Sequence, residues 1–137
     1  MGIERFDDLI AHIDLQVRLL GHFVNDLLDL ARIEEGCFKF VKTNFNIRLL
    51  IHEMYRMFNL TAEHQGTKLI YNIANNFPKL VNGDKTRLQQ VLVNLIKNAL
   101  KFTKNNDFIK IYASYLRTEE KILIKVQDTG VGISEKN

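Results

Sequence analysis

Cysteine is almost missing: Cys37 stands alone among 137 residues, so the chain forms no internal disulfide and nothing in it calls for an oxidising compartment. Proline occurs once, at Pro78, which leaves the periodic first third without an internal breaker. No apolar run approaches the roughly 20 residues that a membrane helix needs. No block of like charge stands out either. The net charge is only +3 and the charges are scattered, so a nucleic-acid partner is not expected, though a weak preference for phosphate is allowed. Residues 1–6 do not read as a secretory signal, and position 6 is Phe rather than the Ser or Thr of a myristoylation site. The expectation is a soluble, cytoplasmic chain with no membrane segment of its own. Apolar residues at 46% and charged residues at 26% match an ordinary globular chain, which excludes wholesale disorder. The length suits one domain, or two if both are small.

The strongest periodicity comes first. Ile10, Ile13, Val17, Leu20, Val24, Leu27 and Ala31 follow at alternating steps of three and four, a heptad seam. Leu9, Phe23 and Leu30 widen it on one flank. A straight seam of this length more often meets another helix than a single core, so self-association through this helix is expected. Gly36 is a natural stop. Phe38, Phe40 and residues 43–45 read as a short strand. Asn46 then caps a second helix with the apolar face Ile47, Leu50, Ile51, Met54, Met57 and Phe58, closed by Gly66. A strand over 67–74, a turn at 75–78 and a short strand at Leu80 and Val81 follow. Asp84 caps a third helix, along which Leu88, Val91, Leu92, Leu95, Ile96, Ala99 and Phe102 keep helical spacing. Residues 108–116 and 121–127 read as a strand pair with a hairpin loop at 118–120. Helices beside an antiparallel pair argue for an α+β sandwich.

Two constellations carry chemistry. Asn94 and Asn98 lie four apart on the third helix, with Lys101 three further on, so all three share one side. Two carboxamide oxygens and an ammonium suit a hydrated magnesium ion and phosphate oxygens, because magnesium takes oxygen ligands and keeps several waters. The plainer reading of the same residues is a solvated polar surface. After the last strand comes Asp128-Thr129-Gly130-Val131-Gly132-Ile133. Its glycines permit close approach of backbone to a ligand, and its aspartate is an acceptor for an exocyclic amino group. The plainer alternative there is an Asp-Gly turn.

Together these motifs resemble the sensor histidine kinases and their ATP-binding domain, the Bergerat (GHKL) fold shared with Hsp90-type chaperones and type II topoisomerases. Residues 84–103, with Asn94-Leu95-Ile96-Lys97-Asn98-Ala99-Leu100-Lys101-Phe102-Thr103 at their end, look like the family's N box. Residues 128–133 look like its first glycine box. Residues 23–36 are similar to the second helix of the family's dimerisation and phosphoacceptor bundle. The resemblance implies residues 1–36 as that bundle helix. It implies residues 37–137 as a histidine kinase-like ATPase domain, incomplete after the first glycine box. It further implies ATP and Mg2+ as cofactors, with Asn98 on the metal and Asn94 supporting metal or phosphates. Lys101 would contact phosphate and Phe102 would pack beside the nucleotide. Asp128 would hold the adenine amino group, with Gly130 and Gly132 shaping the pocket. Relatives that hydrolyse ATP tend to carry glutamate where Asn94 stands, as the base that activates water. Asparagine cannot serve so, which favours the kinase branch.

The implied function is that of a histidine protein kinase module in two-component signalling, with a response-regulator receiver domain as partner of a full kinase and a membrane anchor allowed in a longer parent. The family's acceptor box, similar to Ser-His-Glu-Leu-Arg-Thr-Pro, does not occur in these residues, and neither does the glycine-rich lid. No catalytic residue is identified. His52 imitates the box without its proline and reads as structural. His12, His22 and His64 carry no signal. The chain is expected to be inactive alone: a fragment of a longer kinase, a gene product cut at both ends, or a degenerate relative. The alternative function is a non-catalytic dimerisation or interaction fragment with a degenerate nucleotide pocket.

Overall fold

The computed structural model describes residues 2–37, 39–104 and 106–132, without the side chains of residues 2–9, 11, 12, 14–16, 18, 19 and 22. It divides into two compact units, Met1–Phe40 and Val41–Asn137.

The first unit is a helix, α1 (Gly2–Glu34), of 33 residues, about 50 Å long at 1.5 Å per residue. Its seam faces water: Ile10, Ile13, Val17, Leu20, Val24 and Leu27 are each exposed. The helix stops where the sequence suggested. Gly36 adopts φ +67°, Gly36 N–H donates to the Ile33 carbonyl, and Cys37 N–H donates to the Arg32 carbonyl. These two bonds satisfy carbonyls that a helix end otherwise leaves open.

In the second unit the strand β1 (Thr43–Asn46) runs straight into α2 (Ile47–His64). The Asn46 side chain caps α2 by accepting from Leu49 N at 3.0 Å. Phe40 falls outside β1, and Phe38 lies outside the described residues. α2 buries Ile47, Leu50, Ile51, Met54, Phe58 and Ala62. Met57, expected on that face, sits at the margin of the buried arc and stays exposed. Gly66, at φ +68°, ends α2 in the same manner as Gly36 ends α1. β2 (Lys68–Ile73) follows, then β3 (Leu80–Gly83), which pairs antiparallel with β1. The Arg48 guanidinium binds the carbonyls of Ala74, Asn75 and Phe77, fixing the turn between them.

The third helix, α3 (Lys85–Phe102), is capped by Asp84, whose carboxylate accepts from Arg87 N at 3.1 Å and from Val41 N at 2.9 Å. β4 (Phe108–Leu116) and β5 (Lys121–Asp128) form an antiparallel hairpin, and β2 joins the far side of β4 in parallel, giving the order β2-β4-β5. Ile109, Ile111 and Ala113 of β4 are buried in one core with Leu69, the inner face of α2 and the inner face of α3. The result is the α/β sandwich of the expected class, with two helices over a mixed sheet.

Candidate functional site

The buried arc of α3 is Leu92, Val93, Ile96, Ala99 and Leu100. This divides the apolar set differently from the spacing read in the sequence. Val91, Leu95 and Phe102 are exposed, while Val93 and Leu100 take core positions. At 100° per residue, Val91, Leu95 and Phe102 fall on the same outer side as Asn94, Asn98 and Lys101. Asn94, Asn98 and Lys101 are themselves exposed. The outer side of α3 therefore offers amide oxygens, an ammonium and apolar surface along one strip. Lys101 Nζ lies 5.3 Å from the Phe102 ring centroid, within reach of a cation–π attraction.

The end of β5 reaches this helix. Register pairs Asp128 with Ile109, so Asp128 occupies the side of the sheet that faces the helices, at the last position of the strand. Its Oδ1 accepts from Gly130 N at 2.9 Å, a tight Asx turn. Gly130 lies against the last residue of α3. A methyl group there would overlap the Phe102 carbonyl oxygen and stand 2.8 Å from the carbonyl carbon and 2.9 Å from Asp128 Oδ1. Val131 N donates to the same Phe102 oxygen at 3.4 Å. Gly132 has open space around it and adopts φ +73°, so its requirement is torsional. The structure thus sets Gly130 against both the Phe102 carbonyl and the Asp128 carboxylate, and sets Asn94, Asn98 and Lys101 along the helix that ends there. Ile133 lies outside the described residues.

Beside the site, Gln65, Leu100, Lys101, Thr103 and Lys104 line an open concavity. Gln65 and Lys104 were not singled out by sequence reasoning, because only the fold brings the end of α2 beside the end of α3. Thr129 was passed over for a similar reason: its hydroxyl bonds to Phe108, 21 positions away.

The remaining candidates lie elsewhere. His52 Nδ1 stands 3.1 Å from the Tyr71 hydroxyl, and its ring packs near Tyr55 and Tyr71. It is a half-buried member of an aromatic trio formed by His52 and Tyr55 of α2 and Tyr71 of β2. His64 lies in the last turn of α2. The His12 and His22 side chains lie outside the described residues. Among the described residues no three His, Cys, Asp or Glu side chains gather as a metal cluster. The Asp84 carboxyl is held below its ordinary value of 3.8, first by the Val41 N–H and then by the Arg87 N–H, both of which favour the ionised form.

In this chain a strand ending in an aspartate and a glycine turn closes on an asparagine-bearing helix. Residues 83–137 match the family model described as histidine kinase-, DNA gyrase B- and HSP90-like ATPase. The signal transduction histidine-protein kinase BarA of Escherichia coli strain K12 is 33% identical over 132 residues, 95% of this chain and 14% of BarA. Full-length ShkA in complex with AMPPNP superposes with a TM-score of 0.73 at 26% identity, covering 87% of this chain and 25% of that one. Histidine kinase ThkA in complex with the response regulator protein TrrA gives a TM-score of 0.63 at 28% identity, covering 85% of this chain and 35% of that one. The chain is homologous to the two-component sensor histidine kinases and carries their GHKL type of ATPase fold. It spans about one seventh of the length of BarA, at 14%.

Proposed function

We propose that this chain binds an adenine nucleotide with magnesium and supplies the ATP-binding part of a histidine protein kinase in two-component signalling. The observation that carries the reading is the packing of Gly130 on the Phe102 carbonyl, which joins the adenine-type acceptor Asp128 to the helix bearing Asn94, Asn98 and Lys101. The AMPPNP bound in the ShkA structure supports it. In this reading Asp128 accepts from the adenine amino group, and Gly130 and Gly132 give the turn its shape. Phe102, half exposed, packs beside the nucleotide. Lys101 takes phosphate oxygens. The donor set fits magnesium: Asn98, supported by Asn94, offers a neutral oxygen ligand to a hard cation that retains its waters. Bound there, magnesium would neutralise phosphate charge during phosphoryl transfer.

Transfer to histidine needs an acceptor box, which these 137 residues do not contain, so catalysis is proposed for the protein assembled with one. The division into a bundle helix over 1–36 and an ATP-binding domain over 37–137 belongs to the same reading. So do self-association through α1, a response-regulator receiver domain as partner and a cytoplasmic location. The ThkA–TrrA complex supports the receiver domain as partner.

The test is calorimetric titration of the chain with Mg-ADP, beside Asp128→Asn. Asparagine keeps the shape but turns one acceptor into a donor that opposes the amino group. The expected loss is roughly 1–3 kcal/mol of binding. Equal affinity in the two proteins removes Asp128 from the site.

A further inference from the structure

The β4–β5 ladder ends in an unusual way. Its last backbone pair is Ile109 with Asp128. The next pair in the register would set Thr129 opposite Phe108, but the chain has begun to turn out of the sheet. There the Thr129 side chain takes over: Oγ1 accepts from Phe108 N at 3.2 Å and donates to the Phe108 carbonyl oxygen at 3.4 Å. A hydroxyl is suited to this because it donates and accepts at one atom. It closes a final rung that no longer has two strands of backbone to make it.

The consequence falls on the residues either side. With Thr129 tied to Phe108, β5 leaves the sheet at a fixed point. From that point the Asp128 carboxylate bonds Gly130 N at 2.9 Å, and Val131 N reaches the Phe102 carbonyl at 3.4 Å. Phe108 opens β4 and Phe102 closes α3, so the hydroxyl fixes the turn to the sheet while Val131 fixes it to the helix.

We propose that Thr129 is a positioning residue of the nucleotide site, whose hydroxyl aims the Asp128 carboxylate at the adenine amino group by closing the last rung of the β4–β5 ladder. This rests on the reading of Asp128 as the adenine acceptor. Thr129 touches no nucleotide in this account; it acts through Asp128. The rung is exposed to solvent, so water can satisfy the Phe108 groups when the hydroxyl is removed. The fold then survives while the aim relaxes.

The test separates aim from fold. The 137-residue chain is titrated with Mg-ADP and with Mg-IDP, which carries an oxo group in place of the amino group. A defect of scaffold weakens both nucleotides alike, whereas a misaimed acceptor changes their ratio. The chain should prefer ADP. Thr129→Val, of equal shape without the hydroxyl, should reduce that preference about fivefold or more, the size of one lost hydrogen bond. Thr129→Ser should keep it within about twofold. A full ADP preference in Thr129→Val overturns the proposal while leaving Asp128 in place. Indifference of the unsubstituted chain to ADP and IDP, unchanged in Asp128→Asn, removes the Asp128 reading and the positioning role with it. Should Thr129→Val fail to fold, hydrogen exchange at the Phe108 amide decides. Protection in the chain and in Thr129→Ser is expected; exchange at the rate of an unstructured amide contradicts the rung.

Discussion

Two glycines of one motif answer to different constraints. Gly130 is required by space, because the carbonyl of Phe102 occupies the volume of any side chain there. Gly132 is required by its φ of +73° alone. Gly130→Ala must push backbone against backbone, so it should lower stability by about 1–3 kcal/mol. It should also weaken Mg-ADP binding about tenfold, since displacing the turn moves Asp128. Gly132→Ala should cost only about 1–2 kcal/mol of torsional strain. Urea unfolding and calorimetry of both variants check the order; equal effects on binding would argue against the contact with α3. Asp84 gives a pH signature. Its carboxyl sits below 3.8 in the folded chain, so its contribution to stability is present above 3.8 and is lost as pH falls through the folded value. A carbon-detected titration should place its midpoint below that of an unstructured aspartate, and blocking the Val41 amide bond by deleting residues 1–41 should raise it. At this scale the sequence was informative where a residue acts on its neighbours, as Asn46, Asp84 and Gly66 do. It was silent where a residue acts across the fold, as Thr129 does on Phe108 and Gly130 on Phe102.

Among the elements, α3 shows how far periodicity reaches. Helical spacing located the helix and its cap, but ran Val91, Leu95 and Phe102 in one series with Leu92, Ile96 and Ala99 without separating outer from inner positions. The pattern holds more apolar positions than one face can bury, and only the sheet decides which arc turns inward. The sheet took Val93 and Leu100, so Phe102 stays half exposed beside Asp128. α1 carries the opposite lesson. Its seam was legible residue by residue, and every described seam residue from Ile10 to Leu27 faces water in the single chain. So much apolar surface along one helix favours association. Val24→Asp should weaken self-association by tenfold or more, because a charge in the seam would be desolvated without a partner. Analytical ultracentrifugation at tens of micromolar checks it. A chain that is monomeric before the substitution contradicts the role given to α1.

Across the whole molecule the decisive pairing is that of β4 with β5. Ile109 stands opposite Asp128, so β5 ends beside the start of β4, and only residues 103–107 separate that start from the end of α3; the ends of β5 and α3 therefore lie side by side. The class of fold was legible because an asparagine helix and an aspartate–glycine turn appeared in one short chain; their contact was not. The central claim is that these two motifs form one nucleotide site. The most direct measurement is a two-dimensional amide NMR titration of the chain with Mg-ADP, repeated on Asp128→Asn. Shifts should gather at Asn94, Asn98, Lys101, Phe102, Asp128 and Gly130, and should disappear in the variant. Shifts confined to the aromatic trio around His52, or a spectrum unmoved by millimolar Mg-ADP, would contradict it.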